Sequence, residues 1–403
     1  MPAKTRFELV GEHTNSADDL PAEVAAGEGR FRFGWQTLRG GASEGVPVLM
    51  IDTGPMSIAI LPNRGMSLWK AWSHEVSQEP SSEPMTLDDC LQREAWEIGW
   101  QSPVRGPKHP SIVPLADPSG LGWLEGFDEL FVRCGLRTNG APQFDGNGRL
   151  EYALHGRIAN LPASQLTLEV DSEKGHVDIH ATIFESRFLF YSLSLQTHIR
   201  CTVNSEIIEI FDSVKNLGSQ PTDSQLLYHI NLGQPVLEAG SQLHALLKRL
   251  APKDDRAANG VADWSRCEGP VTGFSEQVYL CEAMVGDDGW SSAMLTDSTN
   301  SRGIAVDFHT QNLPYLNLWK NTAAVDDGYV VGIEPATGFP NTHQFEKDHG
   351  RVVGLEGGQT RTYKVRLNIL SNSSQVVSKI NAIAGQQKMP CQTLETPNAD
   401  WSR

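Results

Sequence analysis

From Leu166 onward one signal keeps returning: a short run rich in β-branched and aromatic residues, alternating apolar with polar, at intervals of roughly ten residues. The runs are Leu166–Val170, His176–Phe184, Phe190–Thr202, Glu206–Lys215, Gln225–Leu232, Gln277–Cys281, Ser292–Leu295, Gly303–Phe308, Tyr315–Trp319, Tyr329–Glu334 and Thr360–Ile369. Between Ala141 and Leu370 the spacing that marks an amphipathic helix is almost absent. Strands in such number leave sheets with apolar faces that only a second sheet can cover. The expected fold is therefore all-β: a large antiparallel β-sandwich with few short helices.

The N-terminal half extends the pattern. R-F-R-F-G-W-Q-T-L-R from Arg30, V-P-V-L-M-I-D-T-G and M-S-I-A-I-L-P-N-R-G-M read as successive strands broken by Gly and Pro. Thr86–Trp100 carries a helix start signal with acids in its first turn, and a short helix is expected there. Gln101–Gly126 is rich in Pro and Gly and too long for an idle connection, so it is read as a loop over the sheet that walls a pocket. Residues 1–28 are read as a polar arm, 29–372 as the sandwich domain and 373–403 as a C-terminal extension. That extension would hold a helix over Ser374–Gly385 and a frayed end. No internal repeat aligns, and no G-x-G-x-x-G follows a strand, which disfavours nucleotide-binding folds.

Charge and cysteine usage narrow the partners. A net charge of −16 lacks the concentrated basic patch that nucleic acid or an anionic membrane surface would require. The six cysteines show no CxxC spacing and are read as reduced, mostly buried thiols. M-P-A-K-T-R-F-E-L-V has no apolar signal core, and no run of about 18 apolar residues occurs. A cytoplasmic protein is expected. Neither a cofactor nor a metal is indicated: His109, His309, His343 and His349 have no metal-ligand spacing.

Three strand-end motifs gather the chemistry: A-L-H-G-R-I-A-N with His155 and Arg157, Y-H-I-N-L-G with His229 and Asn231, and G-I-E-P-A-T-G-F-P-N with Glu334 and Asn341. In the second, a histidine and an asparagine two residues apart share one strand face just before Leu-Gly-Gln-Pro, as at the edge of a pocket. Each motif alone is weak, because a strand-end histidine is more often a structural hydrogen-bonding residue.

Taken together and in order, they resemble the galactose mutarotase-like (aldose 1-epimerase) superfamily, and more closely its DUF4432 branch. The resemblance rests on P-N-R-G-M at Pro62, W-L-E-G-F-D-E-L-F-V-R-C-G-L at Trp123, L-H-G-R-I-A-N at Leu154, Y-H-I-N-L-G at Tyr228, N-L-P-Y-L-N-L-W at Asn312 and G-I-E-P-A at Gly332. It implies the mutarotase-like supersandwich fold and acid/base opening of a sugar ring. His229 would be the acid on the ring oxygen, Glu334 the base on the anomeric hydroxyl, and His155 the support for developing charge. Arg157 and Asn231 would position the sugar, and Arg64, Trp319 and Asn341 would complete its binding. The aspartate that clamps sugar hydroxyls in better-known mutarotases has no match, and Ala336 stands where their glutamine does.

Opening an aldose ring moves one proton off O1 and another onto the ring oxygen. A carboxylate and an imidazolium suffice, each contributing about 10² to 10⁴ in rate. That division of charge, Glu334 ionised and His229 protonated, is expected if the two lie close together. Arg64, Arg133, Arg137 and Lys320 are read as surface cations or partners of the surplus carboxylates, or else as substrate contacts, Arg64 and Arg157 being the favoured contacts, and Trp123, Trp319 and Phe339 as core residues or sugar-stacking faces. The partner is a small-molecule carbohydrate, with the oligomeric state open. Two other readings stand beside the mutarotase: a non-catalytic carbohydrate-binding or sensing protein, and an isomerase or lyase acting on a keto-sugar or sugar acid.

Overall fold

The computed structural model describes residues 4–11, 20–75, 83–92 and 95–402. Among the described residues, two large sheets, almost wholly antiparallel, face each other. The smaller has nine strands, running from Lys4–Val10 through Gln165–Asp171, His176–Arg187, Tyr191–Thr202, Ile207–Asn216, Thr360–Leu370, Gly303–His309 and Trp290–Thr296 to Gln242–Ala245. The larger has fourteen strands. At its centre Ser67–His74, Phe131–Leu136, Thr222–Leu232, Tyr329–Ala336, Tyr315–Thr322, Gln277–Ala283 and Leu247–Pro252 lie side by side.

Alternation builds the core. In Ile207–Asn216, Ile208, Ile210, Asp212 and Val214 are buried while Glu209, Phe211 and Ser213 between them face outward. From the larger sheet Ile58, Phe131, Tyr228, Ile230 and Ile333 meet them in one cluster. Those central strands are buried on both faces, so their burial does not alternate. On the far side Val132, Cys134, Leu227, Val330 and Ala336 pack against Trp100, Trp123 and Phe127. The segment read as a pocket wall thus lies across the larger sheet, and the sandwich expected from the strand signals is the fold observed.

One ion pair crosses the core. Arg133 Nε lies 2.5 Å and Nη2 3.1 Å from the Asp212 carboxylate, with both side chains wholly buried. The same guanidinium donates to the Gly65 and Met66 carbonyls and to Thr197 Oγ1, and Tyr228 Oη donates to Asp212 at 2.9 Å. Arg133 is therefore neither a surface cation nor a substrate contact. All five guanidinium donors would have to be satisfied to bury such a charge, which explains the crowd of acceptors around it.

Other expectations are corrected. The helix of Thr86–Trp100 is cut to Leu87–Gln92, and Ala95–Ile98 is a strand paired with Ser67–His74. The polar arm contributes strands at Lys4–Val10 and Glu23–Ala26; Lys4–Val10 pairs with Gln165–Asp171, and residues 12–19 of the arm lie outside the described residues. Its alternation of exposed and half-buried side chains suits an edge strand. Beyond the helix Ser373–Gln386, the chain end is not frayed: Gln392–Thr393 pairs with Leu247–Pro252, and Trp401 is 5% exposed under Arg249. Among the described residues no disulfide joins any of the six cysteines. Among the described residues, no helix is long and apolar enough to cross a membrane.

Candidate active site

The site is assembled by strand register. Thr222–Leu232 pairs with Tyr329–Ala336, setting Asn231 opposite Gly332, while Asn317 and Trp319 on the next strand face Glu334 and Gly332. Residues two apart share a face, so His229, Asn231, Gly332, Glu334, Asn317 and Trp319 all fall on the side covered by Trp123 and Phe127.

His229 Nε2 lies 3.2 Å from Glu334 Oε1, with the side chains only 6% and 4% exposed. His229 Nδ1 donates to Asn231 Oδ1 at 2.6 Å, and Asn231 Nδ2 donates to the Glu129 carbonyl at 2.9 Å. The second bond fixes which end of the amide is oxygen, and so fixes the imidazole tautomer: Nδ1 carries the proton and Nε2 offers its lone pair to Glu334. Gly332 makes the approach possible. A β-carbon there would stand 2.7 Å from Glu334 Oε1 and 3.2 Å from both His229 Cε1 and Trp319 Cε3.

Electrostatics decide where the protons rest. Burial pushes the Glu334 carboxyl up to about 8, reinforced by the Glu276 charge and opposed by Lys253. Burial pushes His229 down to about 3, with the His155 charge acting in the same direction and the Asn231 bond opposing. The expected carboxylate and imidazolium are thus reversed at rest: a protonated Glu334 donates to a neutral His229. Desolvation penalises both ions, and the neutral arrangement keeps the hydrogen bond without burying charge.

His155 joins them, its ring centroid 5.7 Å from that of His229 and 4.6 Å from Trp123. Nδ1 donates to the Asn139 carbonyl at 2.8 Å, leaving Nε2 as an acceptor. Burial lowers its pKa to about 4, the Asn139 bond opposing and Lys253 assisting. Its φ of 56° is in the left-handed region, and Gly156 follows at 71°. A side chain at Gly156 would strike the Gly135 and Thr138 carbonyls at 2.3 and 2.5 Å, so L-H-G is a turn that only glycine can complete. Strain of this kind persists where the surroundings over-determine it.

The remaining candidates separate into those near the pair and those elsewhere. Trp319 is near: its ring lies 5.3 Å from His229, and Nε1 is tied to Glu276 at 2.7 Å. Asn231 holds the imidazole and is itself 0% exposed, so it positions His229 rather than a sugar. Arg64 is consumed by Glu129 at 2.6 Å, Asn160 at 2.8 Å and the Gly126 and Lys108 carbonyls. Asn341 donates to Glu346 at 2.7 Å and to the Trp401 carbonyl at 2.8 Å. Arg64 retains no free donor for substrate, and the Asn341 amide nitrogen is likewise taken. Arg157 is exposed and lines a different cavity, beyond the His155 turn. Lys320 is buried against the Arg266 carbonyl at 2.6 Å, and Phe339 packs between Tyr315 and Trp401.

Sequence reading missed Phe127, whose ring lies 5.1 Å from His229, and Asn317, buried beside Glu334 with Oδ1 unpartnered among the described residues. Asn317 lies in N-L-P-Y-L-N-L-W, where a polar residue inside an apolar strand was the available signal. Gly332 in G-I-E was another.

Comparisons with known proteins agree with this architecture. Residues 43–369 match the family model DUF4432, a domain of unknown function. A Klebsiella pneumoniae protein named provisionally as an aldose 1-epimerase superposes with a TM-score of 0.87 at 30% identity, over 98% of this chain and 99% of that one. A galactose mutarotase related enzyme from Lactobacillus acidophilus gives 0.52 at 14% identity, over 81% and 98%. A galactose 1-epimerase from Lactobacillus acidophilus NCFM gives 0.50 at 13%, over 84% and 98%. At those identities the last two speak for the galactose mutarotase-like fold alone. A comparison with curated proteins finds no match.

Proposed function

We propose that this chain, which belongs to the DUF4432 family, interconverts the anomers of a sugar at the His229–Glu334 pair. The observation that carries the reading is the 3.2 Å contact between an acid and a base that together hold one proton in a buried site. Ring opening removes a proton from O1 and delivers one to the ring oxygen; closure reverses both transfers. A pair with one proton does this with no net gain or loss, because one group accepts as the other donates. It works from either resting arrangement. With Glu334 protonated, the carboxyl supplies the ring oxygen and His229 Nε2 receives the hydroxyl proton. With the proton on His229, the roles follow the assignment made from the sequence. His155 Nε2, an acceptor at rest, steadies a hydroxyl beside them. Trp319, Trp123 and Phe127 offer ring faces to the C–H side of a sugar. Because they also cover the pair, sugar entry displaces part of this aromatic cover.

The experiment is saturation-transfer NMR of anomer exchange over a panel of aldoses, with native protein and with Glu334→Gln. Acceleration abolished by the substitution supports the reading. Sugars that bind with unchanged exchange would leave a binding or sensing protein instead. A sugar acid is the second reading of the substrate, favoured by Lys253: it is half-buried, its charge acts on both Glu334 and His155, and no carboxylate lies within 4.0 Å of it among the described residues. Uronic acids belong in the same panel.

A further inference from the structure

A cavity of about 830 Å³ lies behind the His155 turn, and His229, Glu334 and His155 are absent from its wall. Gly156 and Arg157 line it, so the L-H-G-R motif turns its histidine toward one site and its arginine toward another. We propose that this cavity is a second ligand site, which takes a small organic phosphate through Arg149, Arg157 and Arg187.

Charge accounting supports an anion. In a chain of net charge −16, these three guanidiniums have no carboxylate within 4.0 Å among the described residues. Arg187 lies over the Phe190 ring at 4.5 Å, and Arg157 lies against the Tyr191 hydroxyl. Three of the four acids in the wall are engaged otherwise, and the fourth, Glu185, lies near enough to Arg157 to feel its charge without pairing with it. Asp223 is held by Lys347 at 2.8 Å, Asp145 by the backbone of Asn147 and Arg149, and Glu151 by Gln143 at 2.9 Å. Glu185 is buried and accepts from the Leu136 amide at 2.8 Å. Three planar donor forks left unmatched suit a group carrying more than one negative charge, which a phosphate does and a carboxylate does not.

A second observation points to the same space. Thr138, 1% exposed, has Oγ1 without a hydrogen-bond partner among the described residues, and it lines the cavity. His343, 4% exposed and also in the wall, leaves Nε2 without a bond of good geometry, its nearest acid being Asp223 at 3.5 Å. Buried polar atoms are almost always satisfied, and these two belong to residues of the cavity wall, set behind its surface rather than on it. Tyr152 stacks on His343 at 4.8 Å and, with Tyr191, flanks Arg137, whose guanidinium lies 6.0 and 5.0 Å from the two rings. The volume is within the range of small-molecule sites and far larger than an inorganic ion needs. A phosphate on a sugar or nucleoside, ring against Tyr152 and phosphate on the arginines, fits this shape. The proposal is independent of what His229 and Glu334 do.

The test is isothermal titration of the full chain with glucose 6-phosphate, uridine 5′-monophosphate, inorganic phosphate, glucuronate and glucose. The expected result is saturable binding of at least one organic phosphate, weakened at least tenfold in the double variant Arg157→Gln/Arg187→Gln and unchanged in Glu334→Gln. Both arginines are exposed, so the double variant is expected to fold, and an unchanged melting temperature checks that. The proposal is overturned if neither organic phosphate binds at millimolar concentration, or if the double variant binds as well as native protein. It is equally overturned if Glu334→Gln abolishes binding, or if inorganic phosphate or glucuronate binds as tightly as the best organic phosphate.

Discussion

Glu334 and His229, on paired strands of the larger sheet, meet at 3.2 Å and hold one proton between them. Burial places it on the carboxyl, leaving a neutral acid against a neutral imidazole. Opposite charges at this distance attract, yet two desolvated ions are worse than one hydrogen bond between neutral groups when little else solvates them. Asn231 opposes this slightly, but by accepting the hydrogen bond from Nδ1 it fixes the tautomer, so that only Nε2 is left to face the carboxyl.

Glu334→Gln separates chemistry from folding. The amide has the shape of the protonated carboxyl and donates to His229 Nε2 in the same way, so the melting temperature should remain within a few degrees of native. It cannot take or give up the proton that the reaction moves. Anomer exchange should fall by about 10² to 10⁴, read by saturation-transfer NMR; exchange at the native rate would remove Glu334 from the mechanism.

The same pair predicts how stability varies with pH. Glu334 binds its proton more tightly when folded, so between its ordinary 4.5 and about 8 the folded state holds more protons and stability falls as pH rises. His229 is the reverse: between about 3 and its ordinary 6.5 the unfolded state holds more protons, and stability falls as pH drops. The two slopes cancel between about 4.5 and 6.5. Urea midpoints should therefore decline from pH 6.5 to 8, and the decline should be smaller in Glu334→Gln. Equal declines in both proteins would mean that Glu334 is ionised in the native state.

Much of this was legible in sequence where the signal is local. Period-two alternation carried the strands from Leu166 to Leu370, and strand-end position carried His155, His229 and Glu334, which the structure brings to one face. The failures depend on partners far along the chain. Arg64 and Asn341 stood in matching motifs, but whether a polar side chain faces a substrate or another buried group is set by Glu129 and by the Glu346–Trp401 corner, neither visible from the motif itself. The resting protonation expected from the sequence was conditional on the two groups lying close, and it took no account of the depth of burial under Phe127 and Trp319.

Arg64 offers a direct check of that distinction. Arg64→Met leaves the Glu129 carboxylate buried without its partner, a loss on the order of 3–5 kcal/mol. Chemical denaturation should show it. If Arg64 instead bound substrate, stability would change little and the sugar concentration for half-maximal exchange would rise.

Gly332→Ala tests the geometry of the pair without touching either titrating group. The backbone at Gly332 is not among the positive-φ positions, so alanine meets no conformational penalty beyond packing. Its methyl group would arrive 2.7 Å from Glu334 Oε1 and 3.2 Å from His229 Cε1, with Trp319 closing the third side at 3.2 Å. A methyl forced into a packed site costs about 1–3 kcal/mol, and the softest response is for the Glu334 carboxyl to swing off Nε2. Two consequences should then appear together. Anomer exchange should drop by about tenfold to a hundredfold, as expected for a misplacement near 1 Å. The imidazole should also lose the carboxyl that faces it, visible as a shifted His229 Nε2 resonance in ¹⁵N NMR. Native exchange with an unshifted resonance would show that the pair tolerates the methyl, and that Gly332 does not set its spacing.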